Sequence, residues 1–405
     1  MLTGVLANGA LVAVAAALAA VLLRPRLRHA PAWRATVTPL ASIIGSGFLV
    51  AAPLLGEIAG PWATGAMALI VALAYAIGAV IRFNIRHAEP RLAAAPGWGL
   101  RLSEDLANLL LALAYLVSVA FYLRLLSAFA LRGAGLDPGA APWLTTLLLV
   151  FIGLHGWRRG LRGLERLEEY SVTIKLAIIG ALLVGLAGHD LIMGYGDPAA
   201  APGDDGWQRL RRLAGILLVV QGFETSRYLG GEYPPALRIR SMRLAQWLAG
   251  LIYIAFIALA MPLLTHLTSG PPDETTLIDL SAYVAAVLPA MLVIAAILSQ
   301  FSAAVADTLG GGGLLAEASG GRLRAPRAYL LIAASAIVLV WSADVFEIIT
   351  LASRAFAAYY FFQVLVALQV NRALGGGGRY WARQAGLGLL AAVLLGIVVF
   401  AVPVG

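Results

Sequence analysis

Apolar runs of membrane-spanning length recur along the 405-residue chain and constrain its fold more than any other feature. A helix needs about 20 apolar residues to cross the hydrocarbon core of a bilayer. Of all residues, 61% are hydrophobic and only 12% are charged, about half the charged fraction of soluble domains. A single globule of this size cannot bury so much apolar surface, so lipid must cover part of it. The sequence therefore predicts an all-α integral membrane protein.

We predict about 12 transmembrane helices joined by short loops. They lie near residues 3–23, 36–58, 62–82, 104–131, 141–157, 169–187, 208–231, 241–267, 279–311, 327–342, 344–371 and 382–403. The first run has no basic residues before it and several arginines after it. We therefore interpret it as an uncleaved span with its N-terminus outside the cell. The glycine run at 310–313 is expected to loosen the end of its helix.

Arginines are concentrated in alternate loops, as expected for cytoplasmic loops of a membrane protein. This pattern predicts a multi-pass protein of the inner (plasma) membrane with both termini extracytoplasmic. The net charge of +8 is spread over these short loops, so it does not indicate nucleic-acid binding. Arg209, Arg211 and Arg212 depart from the pattern, because they open a span on the outer side. Cysteine is absent, which excludes disulfides and thiolate metal sites.

The second span contains Gly45, Ser46 and Gly47 at its middle. Such a triplet forms helix poorly, and an unwound backbone at this depth must face protein or a wet cavity. The amides that it exposes, at the start of the outer half-helix, would suit a carboxylate. A small-residue packing face between helices explains the triplet equally well.

The span at 208–231 places Glu224 and Arg227 within an apolar segment, directly after Gly222. Each buried charge costs several kcal/mol unless it is paired. A spacing of three puts the two side chains on one helix face, where they could pair. We favour a functional role over a purely structural ion pair, because ionisable groups inside membranes usually serve function.

Three segments resemble the amino acid–polyamine–organocation (APC) permease superfamily. Residues 43–48 (Ile-Ile-Gly-Ser-Gly-Phe), with Pro53 and 59–61 (Ala-Gly-Pro), are similar to its first-helix signature. Residues 222–224 (Gly-Phe-Glu), with 231–234 and 238–243, resemble its sixth helix and the following loop. Residues 160–162 and 172–176 resemble the start of its fifth helix. The resemblance covers roughly residues 36–403, with the three motifs in the family's order.

The resemblance implies a LeuT-type fold, a five-plus-five inverted repeat with discontinuous helices 1 and 6. The predicted units are 1–35, an extra N-terminal helix and cytoplasmic linker; 36–190, the first repeat with core helices 1–5; 191–372, the second repeat with core helices 6–10; and 373–405, a C-terminal helix. Many members carry two helices after the core and none before it, so the outer helices here depart from the family pattern.

Lys175 is the single lysine among 29 basic residues other than histidine. Lysine differs from arginine because burial can depress its pKa until it releases a proton. It stands at the family's fifth-helix lysine, which in sodium-independent relatives takes the place of a sodium ion between helices 1, 5 and 8. We favour that role over a lysine that extends to the inner membrane interface.

The resemblance also implies the remaining site residues. The expected substrate-binding residues are Ile44, Gly45, Ser46, Gly47, Val220, Gln221, Gly222, Phe223 and Thr225, with Tyr115 from core helix 3. The expected coupling or gating residues are Lys175, Glu224, Arg227, Ser299, Ser302, Glu347 and Arg354. The two serines would face Lys175, whereas Glu347 and Arg354 would form a gating network or a pair that stabilises the bundle.

The sequence thus predicts a sodium-independent secondary transporter, with proton coupling as a further expectation. Its partner would be a small solute, an amino acid or an amine, held by the discontinuous helices during alternating access. An inorganic or metal ion transporter on the same fold and a non-transporting substrate sensor stay open as alternatives. No cofactor, resident metal or nucleic acid is expected. The sequence contains no evident nucleophile–base pair of the kind that would indicate an enzyme.

Overall fold

The computed structural model describes residues 2–45, 47–94, 96–161, 167–194, 205–266, 273–375 and 378–404. These residues are almost entirely helical, and no strand occurs among them. The α-helices are α1 (Leu2–Leu22), α2 (Pro25–Arg28), α3 (Pro31–Ile43), α4 (Gly47–Ala59), α5 (Ala63–His87), α6 (Glu89–Ala93), α7 (Trp98–Gly133), α8 (Ala141–Arg159), α9 (Leu167–Met193), α10 (Gly206–Gly215), α11 (Thr225–Tyr228), α12 (Pro235–Ala260), α13 (Thr276–Val284), α14 (Leu288–Ala318), α15 (Ala325–Ser342), α16 (Val345–Leu374) and α17 (Gly378–Phe400).

Nine helical segments within the described ranges are long and apolar enough to cross a membrane. One of them, Gly47–His87, combines two predicted spans, because the 3-10 turn Gly60–Trp62 joins α4 directly to α5. Helices α3 and α10, which belong to the interrupted helices, are too short to cross a membrane alone, since α3 has 13 residues and α10 has 10. Each of the 12 predicted spans nevertheless overlaps one helix or one interrupted pair.

The interrupted helices stand first and sixth in the order that the resemblance implied. Core helix 1 consists of α3 and α4, and core helix 6 consists of α10 and α11 with the segment between them. Core helices 2 to 5 are α5, α7, α8 and α9, and core helices 7 to 10 are α12, α14, α15 and α16. The four-part division of the chain at residues 35, 190 and 372 stays a prediction, as does the orientation of the termini.

The predicted span at 279–311 is wrong as a single helix. The chain leaves helical geometry at Ala285, whose φ is −161°, and separates α13 from α14. Pro289 lies in the first turn of α14, where its missing N–H is tolerated but where it prevents continuation from α13. Asp279 of α13 is held 2.6 Å from Arg132 at the end of α7, so α13 covers one end of the bundle.

The glycine run at 310–313 stays helical, contrary to the expected loosening. These glycines allow two tyrosines to approach the helix closely. A Cβ on Gly312 would lie 2.3 Å from Cε1 of Tyr329, and one on Gly310 would lie 3.1 Å from Cε2 of Tyr115. Close packing against neighbouring helices therefore offsets the low helix propensity of glycine.

Helix packing divides the core into two groups. The first contains both interrupted helices, with α12 packed against α3 and α5. The second is centred on α7, which packs along α14 and α16, while α8 packs against α15. Outside the core, α1 lies against α9 and α17 lies against α16. The discontinuous helices thus belong to one bundle that faces a more continuous scaffold.

Substitution Gly312→Ala should lower stability by about 1–3 kcal/mol, because the added methyl group overlaps the Tyr329 ring. Gly313→Ala is the matched control, since nothing lies within 4 Å of its added Cβ. The control should be neutral or slightly stabilising, as alanine favours helix. Thermal unfolding in detergent measures both variants, and equal melting temperatures would contradict the packing explanation.

Candidate functional site

The first interruption separates α3 from α4 in the middle of the membrane bundle. Helix α3 ends at Ile43, and Ile44 leaves helical geometry with ψ near 53° while its N–H still bonds to the Leu40 carbonyl at 2.9 Å. A Cβ on Gly45 would lie 2.7 Å from the Ser42 carbonyl oxygen. Ser46 lies outside the described residues. The break leaves carbonyl groups at the end of α3 and amide groups at the start of α4 without helical partners.

The second interruption lies between α10 and α11. After α10 the chain forms a 3-10 turn at Leu217–Val220 and then passes through Gly222, whose φ is +119°. L-residues rarely adopt that conformation, so the turn requires glycine. Val220 and Phe223 on either side are buried. The hydroxyl group of Thr225 donates to the Gly222 carbonyl at 2.7 Å and closes the turn.

The two interruptions are in direct contact through their glycines. A Cβ on Gly47 would lie 2.5 Å from the Val219 Cα, and one on Gly222 would lie 2.5 Å from the Ser42 Oγ. Side chains larger than hydrogen at these positions would force the segments apart. The small residues noted in the sequence therefore serve both unwinding and close packing.

Tyr253 of α12 joins the two interruptions, a role that was not predicted from the sequence. Its hydroxyl oxygen lies 3.0 Å from the Ile43 carbonyl oxygen and 2.6 Å from the Val219 carbonyl oxygen. The hydroxyl can therefore donate its hydrogen to either of two carbonyl groups, which lose their helical N–H partners where the helices break. A tyrosine at the middle of an apolar span is the only sequence signal for this role. On the same side, Phe48 stacks on Phe256 with ring centroids 4.2 Å apart.

Glu224 is fully buried beside the second interruption. Its Oε2 accepts hydrogen bonds from the Gly222 N–H at 3.0 Å and from the Tyr360 hydroxyl at 2.7 Å. Its Oε1 has no hydrogen-bond partner in the part of the chain that the structure describes. A buried acceptor without a partner is rare, and it marks a place where a proton or a ligand donor would bind.

Aromatic and amide side chains surround this carboxylate. Phe223 stacks on Tyr360 with centroids 5.3 Å apart and planes at 16°. The Gln221 amide donates to the Tyr122 hydroxyl at 3.4 Å, whereas its Oε1 has no partner among the described residues. Tyr115 of α7 is also buried. The second interruption thus places two side-chain oxygen atoms without a hydrogen-bond partner among the described residues beside aromatic side chains.

Lys175 reaches from α9 to both neighbouring core helices. Its ammonium group donates to the Ala41 carbonyl of α3 at 2.8 Å and to the Ser299 hydroxyl of α14 at 3.1 Å, and the side chain is buried. Ser302 lies one turn further along α14, and its own hydroxyl bonds to the Ser299 carbonyl at 3.2 Å. Core helices 1, 5 and 8 therefore meet at the lysine.

Arg227 does not pair with Glu224, although sequence spacing allowed it. Its guanidinium binds Glu104 of α7 at 2.8 Å and contacts the Gln363 side-chain oxygen. The two separate because Glu224 precedes the short helix α11 and turns back to the Gly222 amide, whereas Arg227 points away from the break. Glu104, at the start of a predicted span, was not identified as its partner from the sequence.

The Arg227 ion pair is part of a larger network at one end of the bundle. Arg238 of α12 binds Glu89 with contacts of 2.6 Å and 2.9 Å and also donates to the Arg227 carbonyl. Asn84 of α5 donates to the Gln363 side chain at 2.9 Å. These contacts connect the bundle helices to the scaffold helices, and each buried arginine has a carboxylate that compensates its charge.

Glu347 and Arg354 do not form the expected network either. Glu347 caps its own helix, since its carboxylate accepts from the Asp344 N–H at 3.0 Å in a capping box. Arg354 instead reaches the carbonyl oxygens of Val399 and Ala401 near the C-terminus. Two turns of helix separate their backbones, and each side chain finds a nearer partner.

A cavity of about 310 Å³ lies between the two helix groups, next to both interruptions. Its polar wall is formed by Thr38, Ser42, Tyr115, Thr225, Ser302 and Asp307. It extends toward the exposed Glu232, on the side of the loops that carry most arginines. Among the residues that the structure describes, no group of three or more His, Cys, Asp or Glu side chains is placed to hold a metal ion.

Comparison with known sequences supports a single family assignment. A family model described as an APC superfamily transporter matches residues 25–401. An uncharacterised protein of Aquifex aeolicus (strain VF5) is 46% identical over 354 residues, which are 86% of this chain and 86% of that protein.

Solved structures of low sequence identity share the fold. A manganese transporter of Eremococcus coleocola, solved as two single-residue mutants, gives a TM-score of 0.54 at 13% identity, with 89% of this chain and 85% of that chain covered. A Na⁺-coupled sialic acid symporter in a substrate-bound outward-open state gives 0.52 at 15% identity, with 98% and 97% covered. Together with the two interrupted helices, these matches confirm the LeuT-type fold.

Substitution Tyr253→Phe should destabilise the protein by about 1–3 kcal/mol, because the one hydroxyl hydrogen shared by buried carbonyl groups of both interruptions is lost. Tyr380→Phe is the control, since this residue stacks on Trp381 at the start of α17, outside the core. Thermal unfolding in detergent compares the two. A Tyr253→Phe protein as stable as wild type would show that the hydroxyl bridge is unimportant.

Proposed function

The chain belongs to the APC superfamily of transporters, and on that premise we propose that it carries an amino acid or a related amine without sodium. It is a secondary transporter of the LeuT-like type, so solute movement follows from alternating exposure of one site. The observation that carries the proposal is the position of Lys175 between core helices 1 and 8.

The lysine ammonium group donates hydrogen bonds to oxygen atoms that would also suit a hard cation. Hard cations such as sodium bind backbone carbonyl and hydroxyl oxygens, and the Ala41 carbonyl and Ser299 hydroxyl are such groups. The ammonium group at this point would supply the positive charge that a bound sodium ion would otherwise bring. Solute binding would therefore not need sodium to hold core helices 1, 5 and 8 together.

The second interruption favours an amine-bearing solute. Gln221 and Glu224 each keep a buried oxygen without a partner among the described residues. A solute ammonium would supply the N–H donors that these oxygens lack. The opposite end of an amino acid, its carboxylate, would bind the amide groups at the start of α4 near Gly47, where the helix dipole is positive.

Glu224 is the candidate for proton coupling. Its carboxylate is fully buried and receives two hydrogen bonds at one oxygen only, so its other oxygen is the atom where a proton would sit. A proton or a solute ammonium at that oxygen would each remove the unpaired buried charge. Exchange between them would link solute release to proton binding.

The cavity beside the interruptions supports an inward-facing state. Its polar wall begins at Ser42 and Thr225, next to the proposed site, and extends toward Glu232. With the predicted orientation, that end faces the cytoplasm. The opposite side of the interruptions is covered by Tyr253, Phe48 and Phe256. A solute would thus leave toward the cytoplasm from this conformation.

The structural neighbours are named for different solutes, so we infer the solute class from the residues of the site. One neighbour is named a manganese transporter and another a sialic acid symporter, and both match at low sequence identity. The side chains at the second interruption here supply one carboxylate and one amide rather than several hard-metal ligands. We therefore prefer an organic amine to a metal ion.

A thermal-shift screen against amino acids, amines and divalent metal ions should identify the solute, since ligands stabilise the folded state that binds them. Uptake of the best ligand into proteoliposomes should then be equal in sodium and potassium buffers. Stimulation of wild-type uptake by sodium would overturn the proposal for Lys175.

Substitution Lys175→Ala should abolish uptake while the protein stays folded in size-exclusion chromatography. The loss would follow because two buried oxygen groups and the helix junction lose their cation. Ser299→Ala removes only one of its acceptors and should retain partial uptake. Full activity of Lys175→Ala would contradict the role assigned to this lysine.

Substitution Glu224→Gln should remove the dependence of uptake on an imposed pH gradient, because the amide cannot exchange a proton. The exposed Glu317 provides the control, as Glu317→Gln should behave like wild type. The measurement is proteoliposome uptake at fixed solute concentration, with and without a gradient. An unchanged gradient dependence in Glu224→Gln would exclude this carboxylate as the proton site.

A further inference from the structure

The outer start of α10 carries arginines that the transport site does not use. Arg209, Arg211 and Arg212 lie within the first two turns, beside Trp207, whose ring contacts Phe400 at 5.3 Å between centroids. Tryptophan and arginine together are typical of the membrane–water interface, where indole and guanidinium groups meet lipid headgroups. This end of α10 thus lies at headgroup depth.

An apolar groove of about 480 Å³ runs inward from these residues. It lies between α5, α10 and α17, and its lining includes Leu69 and Leu73 of α5, Ala214 of α10, and Gly396 and Phe400 of α17. The large side chains at its rim are exposed, with Leu69 at 60% and Phe400 at 48%. The groove is therefore open to the surrounding lipid along its length.

The groove extends through most of one leaflet of a bilayer. Its lining on α10 runs from Trp207 to Ala214, seven residues that correspond to roughly 10 Å of helix at about 1.5 Å per residue. Half of the hydrocarbon core is roughly 15 Å thick. The volume of the groove falls in the range of roughly 300–1,000 Å³ that small-molecule sites occupy. One acyl chain fits such a groove.

A polar pocket of about 420 Å³ adjoins the groove and shares Arg211 with it. Two cations, Arg211 and Arg212, and two carboxylates, Asp344 and Glu347, line this pocket. Arg211 uses its Nε for the Phe400 carbonyl and its Nη1 for Gln208. The lining is thus balanced in charge, and a zwitterion would complement it better than an anion.

We propose that a phosphatidylethanolamine molecule binds at this position. One acyl chain lies in the groove between α5, α10 and α17, the phosphate faces Arg211 and Arg212, and the ammonium faces Asp344 and Glu347. The lipid would bind to α10, the outer half of interrupted core helix 6, and to the C-terminal segment, where the Val402 N–H donates to the Arg211 carbonyl. Its presence would therefore stabilise the position of that half-helix.

Native mass spectrometry of the full-length protein, stripped of lipid in detergent, tests the site with added phosphatidylethanolamine or phosphatidylglycerol of equal chain length. Wild type should retain one phosphatidylethanolamine in preference to phosphatidylglycerol. Gly396→Leu should reduce its retention about tenfold, by filling the groove where nothing lies within 4 Å of the added Cβ. Gly388→Leu is the matched control on the same helix, and it should retain the lipid.

Arg212→Gln tests the headgroup separately and should also lower retention about tenfold, by removing a charged hydrogen-bond donor. Equal binding of phosphatidylglycerol would overturn the assignment of the ammonium to Asp344 and Glu347. Unchanged retention in Gly396→Leu would overturn the groove itself and would show that only the general lipid layer had been measured. None of these measurements depends on the transported solute.

Discussion

The contact between two unwound helix segments is the constraint on which the rest of this structure depends. Unwinding in the middle of a membrane is unfavourable unless protein groups replace the lost helical hydrogen bonds. Here Gly47 and Gly222 let each break lie against the other helix, and the Tyr253 hydroxyl lies between the carbonyl oxygens of Ile43 and Val219. The backbone groups left over, together with Glu224, are what such a site can offer to a solute.

Buried charge is accommodated in three different ways around this centre. Lys175 bonds to neutral oxygens of two helices, Arg227 bonds to Glu104 across the two helix groups, and Glu224 relies on a tyrosine and a backbone amide. Only Glu224 is left with an unused oxygen among these described contacts. A fully compensated charge is suited to holding helices in place, whereas a partly compensated one is suited to exchange. That difference is the physical basis for the proposal that Glu224 binds a proton and that Arg227 has a fixed role.

Much of the architecture followed from patterns that act locally. Hydrophobic run length placed the predicted spans on helices of the structure, with 279–311 wrong as a single helix, and small or helix-breaking residues located both interruptions, because these properties depend on neighbours in the chain. The family resemblance then gave the helix order, and the family and the fold are both confirmed. The pairings across helices were predicted less well. The spacings of Glu224 with Arg227 and of Glu347 with Arg354 would place each pair on one face of a continuous helix. Arg227 and Arg354 instead bond to groups on other elements, and Glu347 bonds to the N-cap of its own helix. The division of 279–311 into α13 and α14 was also missed, since one proline within an apolar run does not reveal which way the chain turns.

The sequence by itself determined that this chain spans a membrane and where core helices 1 and 6 break, and its resemblance to a family placed its one lysine in the fifth core helix. The spans and these two breaks follow from apolar length, glycine content and residue type, which no tertiary contact alters. Only the tertiary structure decided which atoms those residues meet. It brought Lys175 to Ala41 and Ser299, placed Tyr253 between the breaks, and gathered the arginines of α10 beside an apolar groove. The reason is physical: partners that lie far apart in the sequence are chosen by helix packing, and a short sequence pattern carries no record of that choice.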